Sequence, residues 1–342
     1  MRKRSLLFII LFSISALIIG CNNNQPLIKN ISDSHIAVIY TDATKEDSEL
    51  VFIDDKKQIL GSHQMKQMYI KRIERGENNE LLLPVAFGDS IITIQADGKI
   101  SERETPIMPL DIFVHKGVEI SSYNTDYSTG TLEKKQEDQV KKTTLSGLLE
   151  AVAMDDDYVY AVGNAISDKY NALYILEKDT LKVHKEIGLG PQYGIGKEIQ
   201  ILDGKLLLTS PQTKSLTIVT KGTREMKQVK LPYKEPDDLL IDQDSIYVTY
   251  MLGNHITKID RKTLQVKGSF STGDQAVLRA DMDSQNIYVL SQAQNDPQPR
   301  QDIVGRIGIY NKQTGNKVGM IELPNKRNMG VQDLIITNPS NP

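Results

Sequence analysis

The sequence has 342 residues, of which 39% are hydrophobic and 25% charged, with a formal net charge of −3 and a single cysteine. One cysteine excludes a disulfide within the chain, so a fold of this length depends on its hydrophobic core. The excess of acidic residues argues against nucleic acid or an anionic membrane surface as the binding partner.

Residues 1–21 have the features of an export signal with a lipid attachment site. Basic residues 2–4 precede an almost wholly apolar run, residues 6–19, which is shorter than the roughly 20 apolar residues that a membrane-spanning helix needs. Residues 18–21, with Gly20 directly before Cys21, resemble the lipobox of bacterial lipoproteins. This resemblance implies a diacylglycerol on the Cys21 thiol, cleavage after Gly20, and an acyl chain such as palmitate on the new amino group.

Lipid attachment would place the mature chain at the cell membrane, on the extracytoplasmic side, since several acyl chains hold a protein stably at a bilayer. Cleavage would remove Arg2, Lys3 and Arg4, which reduces the 41 basic residues to 38 against 44 acidic residues. Residues 22–34 are mostly polar and predict a short flexible tether. The sequence therefore divides into a signal peptide (1–20), a lipid-anchored tether (21–34) and a folded domain (35–342).

The clearest repeat unit is residues 238–273, which predict four short β-strands. The strands are expected at 239–242, 245–250, 256–260 and 266–271, with turn-forming residues between them. Residues 246–248, 259–260 and 263–264 resemble the characteristic positions of the YVTN-type repeat. The resemblance implies a WD40-like β-propeller, an architecture that hosts unrelated functions.

Seven segments align with this unit through the first apolar residue of the predicted second strand. These residues are Ile36, Leu81, Ile112, Val159, Leu206, Ile246 and Ile287. They are 45, 31, 47, 47, 40 and 41 residues apart, and a four-stranded propeller blade takes roughly 40–45 residues. The spacing predicts an all-β fold, a seven-bladed β-propeller, although a sandwich or two small barrels would also contain short strands at regular intervals.

The two ends of the chain complement each other. The first blade lacks an inner strand, whereas residues 331–337 form an apolar strand with no partner of its own. Pairing of this C-terminal strand with the N-terminal blade would close the ring and remove open sheet edges. The third blade is the least regular, because residues 124–142 are polar and charged. We expect a long hairpin or a mobile insertion there, or a short helix over residues 133–141.

Motifs for metal, phosphate and cofactor binding are weak. Residues 190–197 superficially match a phosphate loop, but the glycine spacing fails and no Ser or Thr follows Lys197. The five histidines lack ligand-like spacing, and the acidic residues at 155–157, 242–244 and 281–283 lie where tight turns are predicted. We predict no metal and no cofactor; the absence of Trp also argues against a quinone-dependent dehydrogenase.

The predicted inner strands carry the candidate binding residues. Equivalent positions hold Ala151, Glu198, Asp238, Arg279 and Asp333, with Gln200 and Asp281 two residues further along their strands. Successive strand side chains point to opposite faces, so this polar set is expected to face the axial channel while the apolar residues between them pack between blades. The channel is either a water-filled tunnel, in which Arg279 pairs with the carboxylates, or a ligand site.

Tyr193, Tyr233 and Arg300 are predicted to stand beside the channel mouth lined by Glu198, Asp238 and Arg279, on the loops that lead into inner strands or link second and third strands. Tyr and Arg are frequent interface anchors. We therefore expect a binding or scaffold module for an envelope protein or a small ligand.

The alternative is an enzyme of the lactonase or lyase type, which occurs among the propellers that this repeat resembles. Carboxylates or a divalent cation at the channel mouth would then carry the reaction, with Glu198, Asp238 and Asp333 as the candidates.

Overall fold

The computed structural model describes residues 28–126, 128–164, 171–190, 193, 196–223, 225–251, 253–273, 276–293 and 302–338. The predictions for the signal peptide, for Cys21 and for Arg300 lie outside these ranges. Within them, the strands form seven four-stranded antiparallel sheets that are arranged as the blades of a propeller.

The strands of the first four blades are as follows. Blade 1 contains β1 (Ile36–Thr41), β2 (Ser48–Ile53) and β3 (Ile59–Met65); blade 2 contains β4 (Glu74–Arg75), β5 (Leu81–Val85), β6 (Ser90–Ile94) and β7 (Ile100–Glu104). Blade 3 contains β8 (Pro109–His115), β9 (Val118–Asn124), β10 (Thr129–Gln136) and β11 (Gln139–Ser146); blade 4 contains β12 (Leu148–Met154), β13 (Tyr158–Asn164), β14 (Ala172–Glu177) and β15 (Val183–Gly188).

The remaining three blades and the last strand complete the ring. Blade 5 contains β16 (Glu198–Leu202), β17 (Lys205–Thr209), β18 (Ser215–Thr220) and β19 (Met226–Lys230), and blade 6 contains β20 (Pro236–Ile241), β21 (Ser245–Tyr250), β22 (His255–Asp260) and β23 (Val266–Ser271). Blade 7 contains β24 (Arg279–Met282), β25 (Asn286–Gln292), β26 (Ile303–Asn311) and β27 (Lys317–Pro324), and β28 (Gly330–Ile336) joins blade 1.

Blade 6 shows why these residues form strands. β21 is buried at all six positions, so its β-branched and aromatic residues pack on both sides, against the neighbouring blades. β23 is exposed at most positions and is the outermost strand of its sheet. All four strands of this blade lie where the sequence predicts them, within three residues at each end.

Closure of the ring by the C-terminal strand is confirmed. β28 pairs antiparallel with β1, with Ile36 opposite Ile336 and Val38 opposite Leu334. Arg75 in blade 2 donates through Nη1 to the carbonyl of Thr337 at 3.0 Å and so fixes the end of this strand. The inner strand that the N-terminal blade lacks is thus supplied from the other end of the chain.

Apolar clusters occupy all seven interfaces between adjacent blades. The cluster between blades 2 and 3 is the smallest and has only Leu82, Ile91 and Ile112 as buried members. Arg103 of blade 2 adds ion pairs to Glu119 and Glu133 of blade 3 at this interface. The core is therefore a ring of seven apolar layers that surrounds a polar axis.

Two predictions for blade 3 need correction. Ile112 lies in the inner strand β8, not in a second strand; the second strand is β9, and the two are joined by Lys116 and Gly117 with φ of 51° and 70°. The sequence is misleading here because both strands are apolar and only two residues separate them. With Val118 as the aligned residue, the irregular step of 31 becomes 37, which is closer to the other steps.

Within the polar segment 124–142, β10 and the first part of β11 form a long hairpin, and the alternative of a helix over residues 133–141 is wrong. Glu133 pairs with Lys142 across β10 and β11, and Lys134 pairs with Lys141. In β10 the consecutive residues Leu132, Glu133 and Lys134 are buried, while β11 stays largely exposed. The charged composition is therefore that of an outer, solvated strand.

The two faces of the ring differ in their connections. Because adjacent strands are antiparallel, the turns between first and second strands and between third and fourth strands lie on one face, here called the turn face (242–244 and 283–285, for example). Connections between blades and between second and third strands lie on the opposite, loop face (231–235 and 210–214, for example).

The described chain begins on the turn face. A 3-10 helix, Ile31–Asp33, precedes β1, and the amide of Ile31 donates to the carbonyl of Ala96, in the turn between β6 and β7, at 2.9 Å. Among the described residues, no helix has the length and apolar character needed to cross a membrane.

Candidate functional site

A cavity of about 480 Å³ lies on the axis of the ring and is lined by its inner strands. Its lining also includes Gln243, Ser284 and Lys312, which belong to turns on the turn face. The cavity therefore opens on the turn face, whereas the sequence analysis placed the binding mouth on the loop face.

Strand alternation positions the polar side chains as expected. In β24, Arg279 and Asp281 line the cavity; Ala280 and Met282 also border it, but they pack against the apolar cluster between blades 6 and 7. Glu198, Asp238 and Asp333 line the same cavity from blades 5, 6 and 1. The structure thus brings together these three carboxylates and Arg279.

Arg72 is the residue at the centre of this group, and sequence reasoning missed it. Its Nη1 donates to Asp111 at 2.6 Å, its Nη2 donates to Glu198 at 3.1 Å, and its Nε lies 3.1 Å from Glu74. These carboxylates come from blades 3, 5 and 2, so a single guanidinium links three blades. The inner strand of blade 2, β4, has only two residues, which is too short for a pattern in the sequence to identify it.

Arg279 plays a similar part on the other side of the axis. Its Nη1 donates to Asp238 at 2.8 Å and lies 3.8 Å from Asp237, and its Nε lies 3.9 Å from Asp333. Buried ions need such partners, because an unpaired charge in a low-dielectric interior is strongly destabilised. The two arginines therefore satisfy most of the carboxylates around them.

Three aspartates on the axis also join neighbouring blades through backbone amides. Asp281 accepts from the amide of Ile336 at 2.7 Å, and Asp333 accepts from the amide of Ile73 at 2.7 Å. Asp111 likewise accepts from the amide of Val152 at 2.8 Å. In each case the carboxylate of one blade binds the inner strand of the next, so these residues hold the ring together as well as line its axis.

Burial raises the pKa of several of these carboxyl groups. The pKa of Glu198 rises to about 7 because burial outweighs the nearby Arg72 guanidinium. Burial likewise raises the pKa of Asp333 to about 6 and that of Asp237 to about 6, and it raises the pKa of Asp281. The site therefore contains carboxyl groups that exchange protons close to neutral pH.

The aromatic residues of the predicted binding face have other positions than expected. The prediction that Tyr193 is displayed beside the mouth is wrong: its side chain is 1% exposed, packs between blades 4 and 5, and donates to the carbonyl of Thr209 at 3.0 Å. Tyr233 is partly buried and stacks on His255 with 4.1 Å between ring centroids. Arg300 lies outside the described residues.

Asp155, Asp242 and Asp283 accept from backbone amides of their turns, as predicted, whereas Asp281 lies in β24 and binds the next blade. Asp155 accepts from the amides of Asp157 and Tyr158, both at 2.9 Å, and Asp283 accepts from those of Gln285 and Asn286, both at 2.7 Å. In the part of the chain that the structure describes, no group of three or more His, Cys, Asp and Glu residues is arranged to hold a metal ion.

Comparisons with known proteins agree with this architecture. No protein-family model matches the sequence, and no curated protein does. Among solved structures, apo AztD from Citrobacter koseri superposes with a TM-score of 0.56 at 11% identity, over 87% of this chain and 97% of that one.

Two other similar structures are enzymes by name. Virginiamycin B lyase from Staphylococcus aureus, as a catalytically inactive variant with quinupristin, has a TM-score of 0.59 at 13% identity, over 77% of this chain and 94% of its own. The dihydro-heme d1 dehydrogenase NirN has a TM-score of 0.58 at 8% identity, over 93% of this chain and 78% of its own. At such identities the similarity establishes the propeller fold alone.

Proposed function

We propose that this protein is a lipid-anchored, extracytoplasmic β-propeller that binds a small polar ligand in its axial cavity. The observation that carries the proposal is the cavity itself. Its volume of about 480 Å³ is within the range of roughly 300–1,000 Å³ that is usual for small-molecule sites. It is open on one face, and polar groups from five blades converge on it.

The charge of the lining indicates the class of ligand. Seven carboxyl groups line the cavity, Glu74, Glu198, Asp238, Asp242, Asp281, Asp283 and Asp333, against four basic groups, Arg72, Arg261, Arg279 and Lys312. Acidic groups outnumber basic ones, but burial raises the pKa of Glu74, Glu198, Asp281 and Asp333, so part of this acidic lining is protonated near neutral pH. A polar ligand that both donates and accepts hydrogen bonds therefore fits this lining better than an anion does.

Two glutamines provide a matched test of this site. Gln243 and Gln285 are exposed and lie in equivalent turns of blades 6 and 7, but only Gln243 lines the cavity. Gln243→Trp should narrow the mouth and abolish capture of small molecules from an envelope extract, read out by native mass spectrometry of the full-length protein. Gln285→Trp should leave capture unchanged. Equal capture by both variants, or none by the wild type, would refute the proposed site.

A second candidate function is favoured by Glu198. A carboxyl group with a pKa of about 7, in a cavity and beside the Arg72 guanidinium, has the properties of a general acid or base at neutral pH. This supports the alternative of a propeller enzyme of the lactonase or lyase type. If the wild type converts the captured molecule and Glu198→Gln binds it unchanged, the protein is an enzyme. If both proteins bind the molecule without converting it, the protein is a binding module.

Anchoring is tested separately at Cys21. Only the thiol can accept a diacylglycerol, so Cys21→Ser should abolish labelling with radioactive palmitate and release the protein from the membrane fraction. The folded domain should be unaffected, and its thermal unfolding serves as the control. Undiminished labelling of the variant would rule out this attachment site.

A further inference from the structure

The loop face has its own small opening into the channel. A pocket of about 20 Å³ lies there, lined by Lys71, Arg72, Leu110, Glu150, Lys197, Asp237 and Arg279. Arg72 and Arg279 also line the large cavity, so the two guanidiniums separate the two spaces. A volume of this size accommodates about one water molecule, or one oxygen atom of a larger group.

Two lysines in this pocket differ from the two arginines. Arg72 and Arg279 are each within 4.0 Å of at least two carboxylates. Within the described ranges, the ammonium groups of Lys71 and Lys197 have neither a carboxylate within 4.0 Å nor a hydrogen-bond acceptor, although both side chains are half-buried. The carboxyl groups of Glu150 and Asp237 line the same pocket but form no ion pair with either ammonium group within 4.0 Å, and half-buried ammonium groups without such a pair are unfavourable.

The two lysines also act on each other. They come from blades 2 and 5, which lie on opposite sides of the axis, and both reach the same pocket. Burial lowers the pKa of Lys71, and the Lys197 ammonium lowers this pKa by more than Glu150 raises it. The dominant charged neighbour of Lys71 is thus another cation, and an anion between the two would stabilise both.

We propose that this pocket is an anion-binding site in which Lys71 and Lys197 together hold one oxygen of a small oxyanion, such as a carboxylate, whose remaining atoms lie outside the pocket at the loop-face end of the channel. The Arg72 and Arg279 guanidiniums beneath it are already paired with carboxyl groups, so the two lysines supply the positive charge of the site. The site is independent of the axial cavity and opens on the other face, so it stands or fails separately from the proposed function.

Sodium acetate is a suitable probe, with the full-length protein in detergent and thermal unfolding as the readout. Anything that binds only the folded state raises the melting temperature in a concentration-dependent way. Acetate should raise the melting temperature of the wild type. Lys71→Met and Lys197→Met should each need at least tenfold more acetate for the same rise.

Lys234→Met is the matched control, because Lys234 is an exposed lysine on the same face and lies outside the pocket. It should respond like the wild type. Identical titrations in all four proteins would indicate a general salt effect, and no response in the wild type would indicate an unoccupied pocket; either result overturns the proposal. If the Met variants do not fold, Lys71→Gln and Lys197→Gln replace them in the same comparison.

Discussion

At the scale of single residues, Glu198 makes the sharpest prediction about pH. Its folded pKa of about 7 lies above the ordinary value of 4.5, so the folded state binds its proton more tightly than the unfolded state. The stability that this proton contributes is fully present below about pH 4.5 and is lost as the pH rises through 7. The Gln side chain in Glu198→Gln resembles the protonated form of Glu198. The variant should therefore be as stable as the wild type at pH 4.5 and more stable than the wild type at pH 8.

The gain in the free energy of unfolding at pH 8 is at most about 3.5 kcal/mol, since the folded pKa is about 7 instead of 4.5 and each pKa unit corresponds to about 1.4 kcal/mol. Denaturant unfolding at both pH values measures it. Asp156→Asn is the control, and it should lower the stability at pH 8, because hydrogen bonds from Lys116 and His115 lower the pKa of Asp156 to about 2. A variant at Glu198 that loses stability at pH 8 would show that the ion pair with Arg72 outweighs burial.

Tyr193 gives a second prediction at this scale. Tyr193→Phe removes a buried hydrogen bond to the carbonyl of Thr209, which keeps the amide of Lys197 as another donor at 3.1 Å. The expected loss in the free energy of unfolding is about 1 kcal/mol. Tyr233→Phe should change it by a few tenths at most, because the contacts of Tyr233 are ring contacts with Tyr250 and His255. Equal losses in the two variants would contradict the assigned role of Tyr193.

The sequence predicts which residues of the inner strands face the channel, but not which partners a long or aromatic side chain contacts. Alternation along an inner strand is a local property, so the convergence of Glu198, Asp238, Arg279 and Asp333 could be predicted from the sequence. Arg72 reaches three blades through a long side chain, and nothing in its local sequence encodes those partners. Tyr193 lies in a connection between blades, yet tertiary packing buries it, which composition alone does not indicate.

At the scale of elements, the closing strand β28 is the critical one. Removing residues 330–342 would expose the edges of β1 and delete Val331, Leu334 and Ile336, which are 0–3% exposed. Each such side chain contributes roughly 1.5–3 kcal/mol, and a domain has a margin of only about 5–15 kcal/mol. The truncated protein should be largely unfolded or aggregated by circular dichroism and gel filtration.

Removing residues 338–342 alone is the control for this truncation, and it should leave the melting temperature unchanged. If the longer truncation unfolds at the same temperature as the intact protein, pairing of β28 with β1 does not hold the ring closed.

Strand boundaries could be predicted wherever the connecting turn contains typical turn-forming residues. In blade 6 the acidic turn between β20 and β21 fixes both strands, and all four predicted strands are present. In blade 3 the short connection between β8 and β9 has no such acidic turn, so the repeat alignment assigned Ile112 of the first strand to the second strand. The channel is wide on the turn face and narrow on the loop face because the Arg72 and Arg279 side chains, which come from different blades, lie between the two spaces. The sequence does not encode this arrangement, so it could not predict which end is wide.

At the scale of the whole molecule, the start of the described chain and the cavity lie on the same face. Ile31 is bound to the turn between β6 and β7 on the turn face, and the cavity opens there too. Only seven residues lead from Cys21 to Ile28, and at 3.3–3.6 Å per residue they reach at most about 25 Å. Under the proposed anchoring, we therefore expect the cavity mouth to face the membrane and the loop face to be directed away from it.

Fluorescence energy transfer to a lipid-bound acceptor in vesicles tests this orientation. Asp244→Cys and Lys234→Cys place a dye on exposed positions of the same blade, the first on the turn face and the second on the loop face. The faces are separated by about 20 Å, the length of a six-residue strand such as β21. Lipid on the Cys21 thiol would prevent its labelling, so each variant carries one dye. Transfer should be clearly more efficient from position 244 than from position 234. Equal or reversed efficiencies would mean that the ring lies on its side or that the cavity faces away from the bilayer, and the ligand would then reach it from the opposite direction.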